Sequence, residues 1–185
     1  QVIHEMTKHQ VDLLRRNEAE NLRHWWVNFP YFPSYEEISR AKSLVKSGHL
    51  EKSVIATLIL RVKRECIGIP SLREIKTAAS LAHHGLIVGE FCDELRLKNV
   101  DLSSVPEDHF ASLTSKVRNV KIQNVISPKL SGLRCPYLEI SDQILNTEET
   151  LALKKSMKFL RFLVLGAEGN VLLDIQALTK YDEKG

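Results

Sequence analysis

The sequence predicts an α/β chain in which a helical N-terminal half caps a short repeat solenoid of about four parallel strands, and three observations predict it. Apolar stripes at helical spacing fill residues 1–88. From Cys92 to Val171 one short pattern then returns four times, an apolar residue, two others, an apolar residue, one other and an apolar residue. Cys92-Asp93-Glu94-Leu95-Arg96-Leu97, Val117-Arg118-Asn119-Val120-Lys121-Ile122, Cys135-Pro136-Tyr137-Leu138-Glu139-Ile140 and Leu160-Arg161-Phe162-Leu163-Val164-Leu165 all carry it. They start at residues 92, 117, 135 and 160, hence 25, 18 and 25 apart, the length of a strand-plus-helix repeat. Each connection is too long for a hairpin and suits a crossover between parallel strands.

The helical half begins with residues 4–27, whose apolar side is Met6, Leu13, Leu14, Leu22, Trp25 and Trp26. Pro30-Tyr31-Phe32-Pro33 breaks that helix, because proline lacks a backbone donor and disfavours helical geometry before it. Ser34-Tyr35-Glu36-Glu37 has capping-box form and starts a second helix, with a stripe of Ile38, Ala41, Leu44 and Val45 that ends at Gly48. Leu50, Val54, Leu58, Val62 and Cys66 then fall at steps of four, flanked by Ile55, Ile59 and Ile67, which predicts the most buried helix of the chain. Ser71-Leu72-Arg73-Glu74 caps a fourth, whose face is Leu72, Ile75, Ala79, Ala82 and Leu86. Two segments are expected, 1–88 with four helices and 89–185 with the repeats, forming one rigid body because an open solenoid end needs a cap.

Within each repeat the two apolar residues around a single other one have the period-two spacing of a strand with one buried face. Ser104-Val105-Pro106-Glu107 predicts a capped helix carrying Phe110 and Leu113 behind the first strand. Behind the third, Asn146-Thr147-Glu148-Glu149 precedes Leu151, Leu153 and Met157, with Lys154, Lys155 and Lys158 at the far end, where cations suit the helix dipole. Behind the fourth, residues 174–181 offer Ile175, Leu178 and Tyr181. The return 126–134 holds Pro128 and Gly132 and is the short one, so a turn is expected there.

At these residues the chain resembles the leucine-rich-repeat family over about 90–180, and the resemblance implies parallel strands on a concave face with helices or turns on the convex one. The Asn that the family places after the strand is approximated by Asn99 and Asn124, one position early, and by Gln143 in the third unit. The order of helices before repeats resembles that of nucleotide-binding leucine-rich-repeat receptors and of ubiquitin-ligase substrate receptors.

Composition sets the remaining bounds. Of the 185 residues 43% are hydrophobic and 26% charged, as in an ordinary globular chain. No run approaches the ~20 apolar residues that span a bilayer, and no signal-peptide pattern opens the chain. Cys66, Cys92 and Cys135 show no C-x-x-C spacing and read as reduced core thiols. An intracellular protein, cytoplasmic or nuclear and without a membrane role, is therefore expected. The chain starts at Gln1 without Met and stops at Gly185 just after a helix signal, which reads as a piece of a longer protein.

No enzyme motif is present: His4 and His9 are off the i, i+4 spacing of a helical metal pair, and Gly166-Ala167-Glu168-Gly169 reads as a turn rather than a phosphate loop. His83-His84 sits at a helix end, where a histidine suits the dipole. No catalytic residue, cofactor or metal is expected. If the strands align, one outward row is Arg96, Lys121, Glu139 and Val164; the row before it is Glu94, Asn119, Tyr137 and Phe162, and the row after is Lys98, Gln123, Ser141 and Gly166. Arg96, Lys98, Lys121, Tyr137, Glu139, Phe162 and Val164 then form a face for a protein partner, since exposed aromatics beside charge suit interfaces. The alternative is nucleic-acid binding by Arg15, Arg16, Arg23, Arg61, Lys63 and Arg64 near Trp25 and Trp26. Residues 1–88 hold 13 Lys or Arg against 9 Asp or Glu, and residues 89–185 hold 13 against 14, so the surplus that alternative needs is mild. At the C-terminal end, where a bare solenoid exposes strand edges and apolar side chains, either self-association or a tail folded back over it is expected.

Overall fold

A computed structural model describes residues 7–28, 33–166 and 171–172. Four helices come first: α1 (Lys8–Asn28), α2 (Tyr35–Lys46), α3 (Lys52–Glu65) and α4 (Leu72–His83). Ser34 caps α2 by accepting from the Glu37 amide, and Ser71 with Glu74 completes a full capping box on α4. Ala19, Leu22 and Trp26 form the buried face of α1, whereas Leu13 and Leu14, expected on that side, are exposed. At 3.6 residues per turn they lie roughly 150° and 110° round the helix from that face. The break over 30–32 and the side chain of Trp25 lie outside the described residues, as do Met6, His4 and the signal at 174–181.

In α3 the stripe Val54, Ile55, Leu58 and Val62 is buried, with Leu50 and Cys66 at its ends. Ile67 is 80% exposed because the helix stops before it and the chain turns at Gly68, φ +96°. The most buried helix is α4, not α3. Seven of the 12 residues of α4, from Ile75 to Ala82, are buried, against four of 14 in α3. The reason is position: α4 packs against α2 and α3 on one side and against the first helix of the repeat segment on the other.

The repeat segment forms one parallel sheet of β1 (Cys92–Lys98), β2 (Val117–Gln123), β3 (Tyr137–Ser141) and, after a two-residue strand β4 (Gln143–Ile144), β5 (Phe162–Leu165). The strands stand in the order β1-β2-β3-β5, and the sheet does not close. A second short parallel pair joins β4 to β6 (Val171–Leu172), and an isolated bridge joins Asp101 to Ile126 at the same corner of the neighbouring units. Helix α5 (Glu107–Thr114) follows β1, a 3-10 turn (Leu130–Gly132) follows β2, and α6 (Thr147–Ser156) follows β4. Asn146 caps α6 as expected. The box expected at Ser104 does not form: α5 starts at Glu107 with Pro106 at its cap position and no capping side chain.

Beneath the strands Leu95, Leu97, Val120, Ile122, Leu138 and Ile140 are all essentially inaccessible, and one apolar cluster runs from Ala19 to Leu153 without a break between the two segments. The last strand departs from expectation. Leu163 is half-buried and Leu165 is 43% exposed; among the described residues β5 is an edge strand paired with β3 alone. The short second unit is tied to its neighbours by side chains: Thr114 Oγ1 donates to the Gly132 carbonyl (3.1 Å) and accepts from the Arg134 amide (2.9 Å), and Ser156 Oγ donates to the Leu130 carbonyl (2.5 Å). At Gly166 the backbone passes so close to β3 that an added Cβ would stand 2.6 Å from the Ser141 Cβ.

Cys66 and Cys135 are buried and Cys92 is half-buried, all free thiols. Burial pushes them up to about 12, 11 and 11 for Cys66, Cys135 and Cys92, which keeps them protonated at neutral pH.

Truncating Leu97 to Ala is expected to cost roughly 2 to 5 kcal/mol in urea unfolding, and Leu165 to Ala about 1 kcal/mol or less. Equal losses at the two sites would contradict the burial described for β5. Calorimetry should show one transition, because α4 and α5 share a packed joint. Two independent melts, assignable to 1–88 and 89–185, would break that coupling.

Candidate interaction face

The strand face that looks away from the core is built by the register. Arg96 pairs with Lys121, Lys121 with Glu139 and Glu139 with Val164; Glu94, Asn119, Tyr137 and Phe162 make the adjoining row. Because inward positions alternate with outward ones, burial of the paired leucines and isoleucines forces these rows into view.

Charge organises one end of the face. Lys121 Nζ lies 2.6 Å from Glu94 Oε1 and 3.4 Å from Glu139 Oε2, while Arg96 Nε donates to Glu94 Oε2 at 3.0 Å. The bond from Lys121, helped by Arg96, holds the Glu94 carboxyl below its ordinary 4.5, and Glu94 in return raises Lys121 above 10.5. Aromatic contact organises the other end. Tyr137 and Phe162 stack at 5.2 Å with their planes 5° apart, and the Arg118 guanidinium lies 5.5 Å above Tyr137. Phe162 is 59% exposed and Val164 is exposed beside it.

Lys98 is exposed at the end of β1, where a hollow of about 300 Å³ is lined by Arg96, Lys98, Lys121, Glu139 and, from the α3–α4 turn, Ile69. Sequence reading missed Ile69 and Arg118, since neither belongs to a row of the repeat. All seven residues predicted for this face, Arg96, Lys98, Lys121, Tyr137, Glu139, Phe162 and Val164, thus lie on β1, β2, β3 and β5.

The strand ends explain the imperfect asparagine pattern. Asn99, Asn124 and Asp142 take left-handed backbone geometry, φ +52°, +49° and +46°, which Asn and Asp tolerate best among residues with a side chain. Asn124 Nδ2 donates to Asn99 Oδ1 (2.8 Å), and Gln123 Nε2 to Asp142 Oδ2 (2.6 Å). One residue later Gln143 is buried, its amide accepting from the Val125 N–H (2.7 Å) and donating to the Val125 carbonyl (2.8 Å). It satisfies a backbone that would otherwise be buried without partners.

Four of the six residues of the basic set make contacts within the protein. Arg16 pairs with Asp12 at 3.0 Å, Arg23 with Glu51 at 2.6 Å, Arg61 donates to the Trp26 carbonyl at 3.0 Å, and Lys63 to the Glu90 carbonyl at 3.3 Å. Arg15 and Arg64 are exposed. Trp26 is buried in the core and so is no stacking platform for a base.

A second concavity, of about 860 Å³, lies where the start of α2 and one side of α4 meet the loop before α5. His83 and His84 stand at the end of α4 as expected, but they are not alone. His83 stacks on His109 of α5 at 4.2 Å, and Tyr35 stacks on His109 at 5.1 Å and meets His84 at 4.7 Å. Burial, with His83 close by, holds His84 and His109 below the usual histidine value. Only the fold joins residues 26 positions apart, so no local sequence signal could have found this group.

Set against known proteins, the chain matches no protein-family model, no curated protein and no solved structure.

The ion-paired end of the face makes a pH prediction. Glu94 has a folded pKa below its unfolded one, so its contribution is full above 4.5 and is lost as pH falls through the depressed value; Lys121 is raised, so its contribution is full below 10.5 and is lost as pH rises through the higher value. Urea melts across pH should therefore show a shared plateau between these limits, and Glu94→Gln should flatten the acid side. An unchanged acid limb in Glu94→Gln would show that the pair contributes nothing to stability.

Proposed function

We propose that residues 90–180 are a short leucine-rich-repeat solenoid and that the chain works as a non-enzymatic protein-protein interaction module, with the exposed strand face as its binding surface. The observation that carries this reading is the Tyr137–Phe162 stack, with Phe162 exposed, beside the Glu94–Lys121–Glu139 ion pairs. Aromatic side chains held rigid by stacking lose little freedom on binding, and a neighbouring row of alternating charge gives register and partner choice. The favoured partner is a protein segment that offers an apolar or aromatic side chain to Phe162 and Val164 and charges of both signs to the row beyond.

The solenoid part of the reading is supported by the one-to-one register of the strands, by the left-handed residue that ends three of them, and by the helix, turn and helix that return on the other side. Open parallel strands whose backbone is paired sideways leave side chains rather than backbone for a partner to read.

Alanine at Phe162 or Tyr137 is expected to weaken a protein partner by about 2 kcal/mol, roughly thirtyfold, as for an aromatic hot spot, while Arg15→Ala with Arg16→Ala leaves it unchanged. Calorimetric titration of each variant against the partner reads this directly. Affinity that ignores both aromatic positions, or that belongs to oligonucleotides and falls steeply with salt, overturns the proposal.

A further inference from the structure

We propose that His83, Asp108 and His109 form a binding site for a divalent transition-metal ion of the zinc class, which clasps α4 to α5 across the joint between the helical segment and the repeats. This goes beyond the interaction face and uses none of its residues.

The three side chains come from two elements. His83 is the last residue of α4; Asp108 and His109 lie in the first turn of α5. One donor atom from each, two imidazole nitrogens and a carboxylate oxygen, all lie within 4.8 Å of one another, and His83 Nε2 is 3.8 Å from Asp108 Oδ2. In a tetrahedral zinc site with bonds of about 2.0 to 2.2 Å, neighbouring donors stand roughly 3.3 to 3.5 Å apart. The spacing found is thus slightly open, and side-chain rotation closes it. His109 is the fixed member, buried and held between the rings of His83 and Tyr35. His83 and Asp108 are exposed, so rotation of their side chains, with the His83 ring turning out of its stack on His109, brings their donor atoms in.

The donor set chooses the metal. Imidazole suits zinc and its neighbours in the transition series, whereas magnesium and calcium want six or more oxygens and find one carboxylate here. Three protein ligands leave a fourth position for water; the second Asp108 oxygen, Oδ1, accepts from the His109 amide at 3.0 Å. Because the ligands sit on both sides of the α4–α5 contact, a bound ion adds its binding free energy to the joint itself.

The test uses the intact chain with zinc chloride as the probe in magnesium-containing buffer, cobalt(II) as a spectroscopic substitute, and the variants His83→Gln, Asp108→Asn and His9→Gln. The first two change exposed positions, so their metal-free melting should match the parent. Expected are a zinc-dependent rise in melting temperature and a tetrahedral cobalt absorption in the parent and in His9→Gln. Both variants at the site should bind at least tenfold more weakly, since even an outer-shell change at a metal site costs about 10- to 100-fold. Zinc affinity that is the same in the parent, His83→Gln and Asp108→Asn, or a parent with no zinc-dependent rise in melting temperature, overturns the proposal.

Discussion

The fold depends on one constraint, that two residues per strand, spaced by one, must lie under the sheet at every turn of the repeat. Leu95 with Leu97, Val120 with Ile122 and Leu138 with Ile140 meet it fully. Since a slip of one residue would turn each pair out and bring charges in, the register is fixed by burial rather than by any special contact on the outer face. The order of the outer rows, charged at β1 and β2 and aromatic at β3 and β5, is a by-product of that inner requirement. The outer rows are therefore residues free to vary around a core that is not.

The joint between the two segments is the second dependency. Helix α4 is rich in alanine, and Ala78, Ala79 and Ala82 let it lie close to its neighbours on both sides. Small side chains bring backbones near, and nearness puts the end of α4 beside the first turn of α5. That adjacency gathers Tyr35, His83, His84 and His109 into one group although their positions in the chain give no hint of it.

Much of this fold was legible because the repeat carries both its period and its phase. The parallel order of the strands, the inward residues of the first three, the outward rows and the short second return all follow from counting positions. Element ends and edges were harder. The Ser104 box failed because a proline takes the cap position of α5, and the burial expected of Leu165 failed because periodicity tells which face of a strand a residue is on and not what packs over that face. Likewise a stripe at steps of four made α3 look more buried than α4; stripe width reports apolar content, while burial depends on how many neighbours an element has. Of the interaction face, the rows were readable and Ile69 and Arg118 were not, as Ile69 enters from the α3–α4 turn and Arg118 belongs to none of the three outward rows.

Gly166 extends this last distinction. It stands half-buried just after Phe162, Val164 and Leu165, whose solvent access suggests that almost any residue is tolerated nearby. Yet its amide donates to the Ile140 carbonyl at 2.6 Å, and the space its missing side chain leaves is already taken by Ser141. Tolerance to change thus does not follow from exposed neighbours: Gly166 comes directly after exposed positions, yet it has no room for a side chain.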